Sequence, residues 1–133
     1  MPYASMTGLG HYVPDRIVTN DELARYMDTS DDWIQSRSGI RERCFAEEGE
    51  TTATMSVESG RRALERAGCS PDDVDLLLVA SSSPDYITPP VSSQVQAGLG
   101  MPQVGAMQLT VGCTGFVYAL VTAEQFIRTG GCE

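Results

Sequence analysis

The apolar positions of this chain follow two periods in alternation, which predicts an α/β fold. Residues 76–80 are apolar at every position, as in a parallel strand that helices cover on both faces. Residues 52–67 instead place apolar side chains on one helical face, and pair arginines with glutamates on the other. Further strands are predicted over residues 4–10, 40–46 and 104–110, and further helices over 21–27, 31–38, 91–99 and 114–128.

Residues that begin and end helices support these boundaries. Asn20 and Ser30 each precede a predicted helix, and each has a side-chain oxygen that can accept from an unpaired N–H of the first turn. Gly39 and Gly68 follow predicted helices, where a left-handed backbone commonly ends the helix. The pattern therefore predicts Asn20 as the cap of the helix over 21–27.

The helix over 114–128 carries apolar residues over most of its surface. A helix this apolar is usually buried in the centre of a domain. Residues 129–133 then have the character of a helix terminator and linker, whereas an α/β sheet normally continues with a further strand. We therefore expect residues 1–133 to form one domain that is incomplete by itself.

The composition narrows the class of protein. A chain of 133 residues with 41% hydrophobic and 20% charged residues is typical of one modest globular domain. A net charge of −9 argues against non-specific nucleic-acid binding, because phosphates are repelled. The chain shows no apolar run long enough for a membrane span and no signal-peptide pattern, so we expect a cytoplasmic protein without membrane partners.

The four cysteines form neither a metal-binding nor a redox pattern. Their spacing fits neither a CxxC pair nor a zinc site, and His11 is the single histidine of the chain. We expect no metal ion and, in a reducing compartment, free thiols. Cys44, Cys69 and Cys132 are by default structural or incidental thiols, and His11 is a polar loop residue.

Cys113 differs from the other cysteines in having the context of a nucleophile. It lies in the segment TVGCTGF, where a predicted strand gives way to a predicted helix. A helix that begins at or just after Cys113 aims unpaired N–H groups and its positive dipole end at the sulfur, which favours the reactive thiolate. Gly112 and Gly115 leave the sulfur open because they have no side chains. The alternative is a small buried apolar residue, as many unpaired cysteines are.

Four segments together give the chain a resemblance to a known family. They are GLGHYVPDRIVTNDEL (8–23), DTSDDWIQSRSGIRER (28–43), the block that ends in LLLVASSSPD (76–85), and TVGCTGFVYAL (110–120). With these segments the chain resembles the N-terminal half of β-ketoacyl-acyl-carrier-protein synthase III, a condensing-enzyme family of the thiolase superfamily. The resemblance implies a thiolase-like layered α/β fold with a mixed sheet covered by helices, an N-terminal domain over residues 1–133, and a homodimer.

The resemblance further implies that Cys113 accepts an acyl group from acyl-coenzyme A, which is a substrate and not a cofactor. A carbanion from malonyl-acyl carrier protein then attacks that acyl group, and the backbone N–H of Cys113 helps to bind the thioester oxyanion. In the family this cysteine lies at a buried helix start. The catalytic histidine and asparagine of the family come from its C-terminal half, and no residue of this chain takes their place.

The resemblance also implies a coenzyme A site. Trp33 and Arg37 match the family's residues that flank the adenine, and Thr29 lies close to that site and is the third binding residue that the resemblance implies. An indole can stack on an adenine, and an arginine can both stack and neutralise phosphate. The alternative is a surface helix with a tryptophan packed at a domain edge and arginines whose aliphatic stems lie on the surface. For Arg41 and Arg43 this surface role is favoured over coenzyme A binding.

Two departures from the family's pattern bear on the substrate. Residues 107–112, MQLTVG, replace the more usual acidic residue and paired alanines before the cysteine. Thr88 stands in the loop that lines the acyl pocket across the family's dimer, where the short-chain enzymes carry a bulky aromatic residue. A wider acyl pocket follows if the positions correspond; alternatively, the turn at Pro89 and Pro90 is reshaped and they do not correspond.

Three functions remain open at this stage. The first is a β-ketoacyl synthase III-type acyltransferase of fatty acid or polyketide synthesis. The second is a relative in secondary metabolism that transfers the acyl group from Cys113 to another acceptor. The third is a non-catalytic thiolase-like half that serves as a dimerising or binding module.

Overall fold

The computed structural model describes residues 3–132, in which β-strands and α-helices are interspersed along the chain, as expected of an α/β fold. The elements are β1 (Arg16–Thr19), α1 (Asn20–Leu23), α2 (Asp31–Ser38), β2 (Glu42–Phe45), α3 (Thr52–Ala67), β3 (Leu76–Ala80), α4 (Val91–Gly98), β4 (Gly105–Leu109) and α5 (Gly115–Arg128). The chain divides into two compact units. The small unit is residues 13–50, and the large unit combines the described residues up to Tyr12 with those from Thr51 onward.

The small unit is built on an antiparallel pair of strands. β1 pairs with β2 from Arg16 opposite Phe45 to Thr19 opposite Glu42. The predicted strand over 40–46 is thus confirmed as the shorter β2, whereas β1 has no counterpart in the sequence prediction. α2 matches its prediction, because the Ser30 hydroxyl accepts from Trp33 N and Gly39 ends the helix at a φ of 72°.

Asn20 is the centre of the small unit rather than a helix cap. Its amide donates to Asp31 Oδ1 and to the Ile40 carbonyl, both at 2.8 Å, and its carbonyl oxygen accepts from Arg43 Nη2 at 2.5 Å. Since these bonds occupy the side chain, the Thr19 hydroxyl caps α1 by accepting from Glu22 N. The predicted Asn20 cap is therefore wrong. The predicted helix over 21–27 is also wrong in extent, because turns replace it after residue 23.

The large unit is built on a parallel pair of strands. β3 pairs with β4 from Leu76 opposite Gly105 to Ala80 opposite Leu109, so the predicted parallel strand is confirmed. Val79 packs with Val91 and Val95 of α4 in the core on one face. Ala80 faces the opposite side, where it contacts the start of α5. The strands thus form two separate two-stranded sheets, one in each unit, rather than one mixed sheet.

The predicted strand over residues 4–10 is wrong, because this segment lies along α3 and pairs with no strand among residues 3–132. Arg66 Nη1 donates to the Leu9 carbonyl at 2.7 Å, and Arg62 Nη1 donates to the His11 carbonyl at 2.9 Å. A Cβ atom on Gly10 would collide with the α3 backbone at Ser59. The carbonyls of Leu9 and of the neighbouring His11 therefore accept from arginines of a helix, and the glycine at position 10 permits the close approach.

The α3, α4 and α5 boundaries follow the sequence prediction closely. α3 covers the predicted residues 52–67 and ends at Gly68, whose φ is 68°. On its polar face Arg61 pairs with Glu58 and Glu65, and Arg62 also pairs with Glu58. The hydrogen bond from Arg61 is the main cause that holds the pKa of Glu58 below its ordinary value.

The expectation that α5 is buried in the centre of a domain is wrong within residues 3–132. Phe116 is 66% exposed, Val117 60% and Tyr118 57%, and only Gly115 of this helix is buried. One side of α5 lies against β3, where Leu76, Leu78 and Phe116 line an open apolar groove. The other apolar side chains of α5 are exposed or only partly buried within residues 3–132.

We predict that Asn20→Ala lowers the free energy of unfolding by about 1–3 kcal/mol, because the buried Asn20 side chain makes three hydrogen bonds and all three are lost. Hydrogen bonds from Asn20, and secondly from Gln35, hold the pKa of Asp31 below its ordinary value of 3.8. An acid with a depressed pKa contributes stability above its unfolded pKa and loses it as the pH falls. The Asp31 pKa measured by NMR is therefore expected to rise towards 3.8 in the variant.

Urea unfolding at neutral pH gives the stability, with Asp21→Ala as the matched control at an exposed neighbour in α1. The control is expected to stay within about 0.5 kcal/mol of the parent. Equal losses for the two variants would contradict a central role for Asn20.

Candidate functional site

Cys113 lies in a short turn between β4 and α5. β4 ends at Leu109, a 3-10 turn covers Gly112–Thr114, and α5 begins at Gly115. The prediction of a helix that begins at or just after the cysteine is therefore confirmed. The side chain of Cys113 is exposed in this chain, unlike the buried helix start that the family resemblance implied, because no described segment covers this end of α5.

The two glycines beside Cys113 have different structural roles. Gly112 has a φ of 65°, a left-handed conformation that favours glycine. Gly115 is buried, and a Cβ atom there would lie 3.1 Å from the Cβ of Ala80. Gly112 thus allows the chain to turn into Cys113, and Gly115 allows α5 to begin close against β3. Sequence reasoning assigned both residues to substrate access and missed these roles.

The first turn of α5 is left without a side-chain cap. Thr114 occupies the N-cap position, yet its hydroxyl donates to the Val111 carbonyl at 3.3 Å and makes no capping bond. N–H groups at an uncapped helix start favour negative charge nearby. The arrangement can therefore stabilise negative charge beside Cys113.

The loop between β3 and α4 reaches the turn of Cys113, a contact that sequence reasoning missed. Ser81 N donates to the Leu109 carbonyl at 3.1 Å, which extends the strand pairing by one step. Gly112 N then donates to the Ser82 hydroxyl oxygen, also at 3.1 Å. Three consecutive serines directly after an apolar strand were the available sequence signal, but nothing in the pattern specified which backbone group they contact.

Thr88 lies exposed in the same loop, before a cis peptide bond to Pro89. The loop is held at two points. The Asp85 carboxylate accepts from Thr52 N at 3.0 Å and Ala53 N at 2.8 Å, and Gln108 Oε1 accepts from Val91 N at 2.9 Å. The first pair of bonds fixes the loop to the start of α3, and the last one fixes its end to β4.

Trp33 and Arg37 lie together on α2, and Thr29 precedes that helix in the small unit. The Arg37 guanidinium is 4.8 Å from the centroid of the Trp33 ring, and Trp33 is 55% exposed. The Thr29 hydroxyl oxygen is buried and has no hydrogen-bond partner among residues 3–132. An exposed indole beside a guanidinium can hold a flat, anionic ligand. Arg41 is exposed, and Arg43 instead donates to Asn20 and to the Val18 carbonyl, a structural role.

The remaining candidates of the sequence analysis have unremarkable surroundings. Cys44, Cys69, Cys113 and Cys132 are all free cysteines. The His11 carbonyl, not its ring, makes the contact with Arg62 described above. Within residues 3–132, no group of three or more His, Cys, Asp or Glu could hold a metal ion, and no helix is long and apolar enough to cross a bilayer.

Known proteins of one kind are similar to this chain over nearly its whole length. β-Ketoacyl-[acyl-carrier-protein] synthase III 1 of Bacillus anthracis is 47% identical over 123 residues, which cover 92% of this chain and 40% of the relative. The crystal structure of 3-oxoacyl-[acyl-carrier-protein] synthase III from Aquifex aeolicus matches with a TM-score of 0.90 at 40% identity, covering 93% of this chain and 40% of that one.

A second solved structure is the priming β-ketosynthase from the R1128 polyketide biosynthetic pathway. It matches with a TM-score of 0.93 at 38% identity, covering 98% of this chain and 39% of that chain. No protein-family model matches the chain. The thiolase-like α/β fold is confirmed by these structures, and the chain spans about 40% of the length of the curated relatives that it matches.

We predict that Cys113 is the most reactive thiol of the folded chain, because it alone lies beside an uncapped helix start. Limiting iodoacetamide followed by peptide mass spectrometry measures the labelling of each cysteine. Cys44 and Cys69 are internal controls, since they are also exposed. Labelling at either control equal to that at Cys113 would contradict the prediction, and labelling after unfolding in urea should be uniform.

Proposed function

Because this chain is homologous to the β-ketoacyl-[acyl-carrier-protein] synthase III enzymes, we propose that it carries the acyl-accepting site of a condensing enzyme. The observation that supports this most directly is the position of Cys113, exposed in a turn between β4 and an uncapped helix start. The proposed acyl donor is an acyl-coenzyme A. Coenzyme A enters as part of the substrate, so no separate cofactor is proposed.

In the proposed first step, the Cys113 thiolate attacks the carbonyl carbon of the acyl-coenzyme A thioester. The new bond joins Cys113 Sγ to the acyl carbon, the bond to the coenzyme A sulfur breaks, and the coenzyme A thiolate takes up a proton. The product is again a thioester, so its acyl carbon stays electrophilic. Backbone N–H groups at the turn, including that of Cys113, stabilise the oxyanion of the intermediate.

Trp33, Arg37 and Thr29 are proposed to bind the coenzyme A moiety. The exposed Trp33 ring can stack on the adenine, and Arg37 already lies over that ring at 4.8 Å. The Thr29 hydroxyl, buried without a partner among residues 3–132, gains a hydrogen-bond partner if a ligand atom reaches it. Domain-edge packing is less well supported for Trp33, because more than half of its surface is exposed.

In the proposed second step, malonyl-acyl carrier protein loses carbon dioxide and its carbanion attacks the acyl group on Cys113. Release of carbon dioxide leaves the electron pair on the malonyl carbon, which forms the new carbon–carbon bond and expels the cysteine thiolate. The family's histidine and asparagine for this step have no counterpart here: His11 holds α3 through its carbonyl, and Asn20 is buried in its own network. The partner proteins are an acyl carrier protein and a second copy in a cytoplasmic homodimer.

Thr88 is proposed to bound the acyl pocket in that homodimer. Its side chain is small and exposed, in a loop fixed by Asp85 and Gln108 on either side. A small residue leaves room for acyl chains longer than those that a bulky aromatic would admit. A polyketide-type primer is a second candidate substrate, favoured by the likeness to the R1128 priming β-ketosynthase.

Incubation of the chain with acyl-coenzyme A tests the first step. We predict a mass increase of one acyl group on Cys113, absent in Cys113→Ser and retained in Cys69→Ser, a matched control at another exposed cysteine. We also predict no β-ketoacyl product when malonyl-acyl carrier protein is added, because the chain lacks groups that stabilise the developing enolate.

The two outcomes separate the proposals. Absence of acylation in folded protein would contradict the acyl-accepting role and favour a binding module. A β-ketoacyl product that depends on Cys113 would contradict the claim that the second step needs residues absent from this chain.

We predict that Trp33→Ala raises the apparent KM for Cys113 acylation by about 5- to 150-fold, the equivalent of about 1–3 kcal/mol for one stacked base. The rate at saturating acyl-coenzyme A should change little, because adenine binding is remote from the chemistry. Initial rates over a range of acyl-coenzyme A concentrations measure both constants. Tyr26→Ala is the control, since Tyr26 is an exposed aromatic residue of the same unit; an unchanged KM in Trp33→Ala would support edge packing.

A further inference from the structure

We propose that Ser82 is a positioning residue that holds the turn of Cys113 in its reactive orientation. The inference rests on the proposed role of Cys113 as acyl acceptor and adds a second residue to that site. Ser82 does not touch the reacting atoms; it acts through the backbone of Gly112, which directly precedes the nucleophile.

The paired strands deliver the two segments to the same place. β3 and β4 are parallel and in register to Ala80 opposite Leu109, and Ser81 N continues the pairing by donating to the Leu109 carbonyl at 3.1 Å. Beyond that bond, the backbone of the nucleophile segment leaves the sheet. The hydroxyl of Ser82 accepts from Gly112 N at 3.1 Å and so joins the two segments after the sheet has ended.

The bond acts at the residue where the chain changes direction. Val111 has a φ of −132° and a ψ of 19°, and Gly112 follows with a φ of 65°, so neither residue continues the strand. Glycine has an unusually wide choice of conformations, which makes an unrestrained Gly112 a flexible point. A hydrogen bond to its N–H restrains the peptide plane between Val111 and Gly112, from which the chain turns into Cys113.

A second contact lies on the other side of Cys113, and it is made with β3 itself. Gly115 is buried at the start of α5, where its α-carbon approaches Ala80 so closely that an added Cβ would lie 3.1 Å from the Cβ of Ala80. Cys113 is therefore flanked by two contacts, the Ser82 bond at Gly112 and the Ala80 packing at Gly115. The Ala80 contact is van der Waals packing, whereas the Ser82 contact has a defined direction.

The exposure of Ser82 and Gly112 distinguishes a role in positioning Cys113 from a role in the stability of the fold. Both Ser82 and Gly112 are exposed, so water can replace the lost hydroxyl as a partner for Gly112 N. Loss of the hydroxyl then changes the stability of the fold little but releases the turn. Small displacements of a reacting group can cost about 100-fold in rate, so the reaction is expected to be more sensitive than the fold.

Ser82→Thr and Ser82→Val test the proposal as a pair of nearly equal shape that differs in the hydroxyl. We expect Ser82→Val and Ser82→Ala to lower the maximal rate of Cys113 acylation by acetyl-coenzyme A by about 5- to 50-fold, with the apparent KM within about 2-fold of the parent. Ser82→Thr should restore the rate. Ser83→Ala is the matched control. Ser83 bonds Thr52 through its backbone carbonyl, and the substitution leaves that carbonyl in place.

Alkylation of Cys113 by iodoacetamide is the second measurement, because it needs no coenzyme A. The alkylation rate at Cys113 should fall in Ser82→Val and Ser82→Ala, with Cys44 unchanged as the internal reference. If acetyl-coenzyme A fails to acylate the parent chain, the proposed function fails while alkylation still decides the role of Ser82. Equal alkylation and acylation rates in Ser82→Val and Ser82→Thr, or an equal loss in Ser83→Ala, would overturn the proposal.

Discussion

The in-register pairing of β3 with β4 is the constraint on which the large unit depends. Since the strands are parallel, both end at the same edge of the sheet, at Ala80 and Leu109. Successive residues of β3 face opposite sides, so Val79 packs in the core beside α4 whereas Ala80 receives the start of α5. The loop of serines and the turn of Cys113 meet at this edge because the register brings them there.

The chemistry proposed for this edge depends on small residues and backbone groups more than on ionisable partners. Gly112 provides the left-handed turn, Gly115 the close packing, and Ser82 a hydroxyl that binds the Gly112 N–H. A larger side chain would remove the roles of Gly112 and Gly115, and loss of the hydroxyl would remove the role of Ser82. The surroundings of Cys113 therefore depend on the backbone fold, and the backbone is similar to that of the synthase III enzymes.

The small unit is stabilised differently, because its two-stranded sheet buries few apolar side chains. Its order comes from polar bonds centred on the buried Asn20, which joins α1, α2 and the segment before β2. The bond to Asp31 fixes the start of α2, the helix on which Trp33 and Arg37 project. A buried polar network of this kind is sensitive to the loss of any member, since each leaves partners unsatisfied. The proposed nucleotide-binding residues thus depend on Asn20 without touching it.

The sequence by itself determined the elements whose signals are local: the amphipathic α3 with its Gly68 terminus, the apolar β3, the Ser30 cap of α2, and the position of Cys113 between strand and helix. Only the tertiary structure decided that Asn20 is buried and not a cap, that residues 4–10 lie against α3 instead of in a sheet, and that Ser82 contacts Gly112. Local signals follow from periodicity and backbone preference within one segment. The contacts of Asn20, of residues 4–10 and of Ser82 depend instead on which distant donors and acceptors the fold brings together. A polar side chain can bond many different partners, so its sequence position alone does not indicate which partner it has.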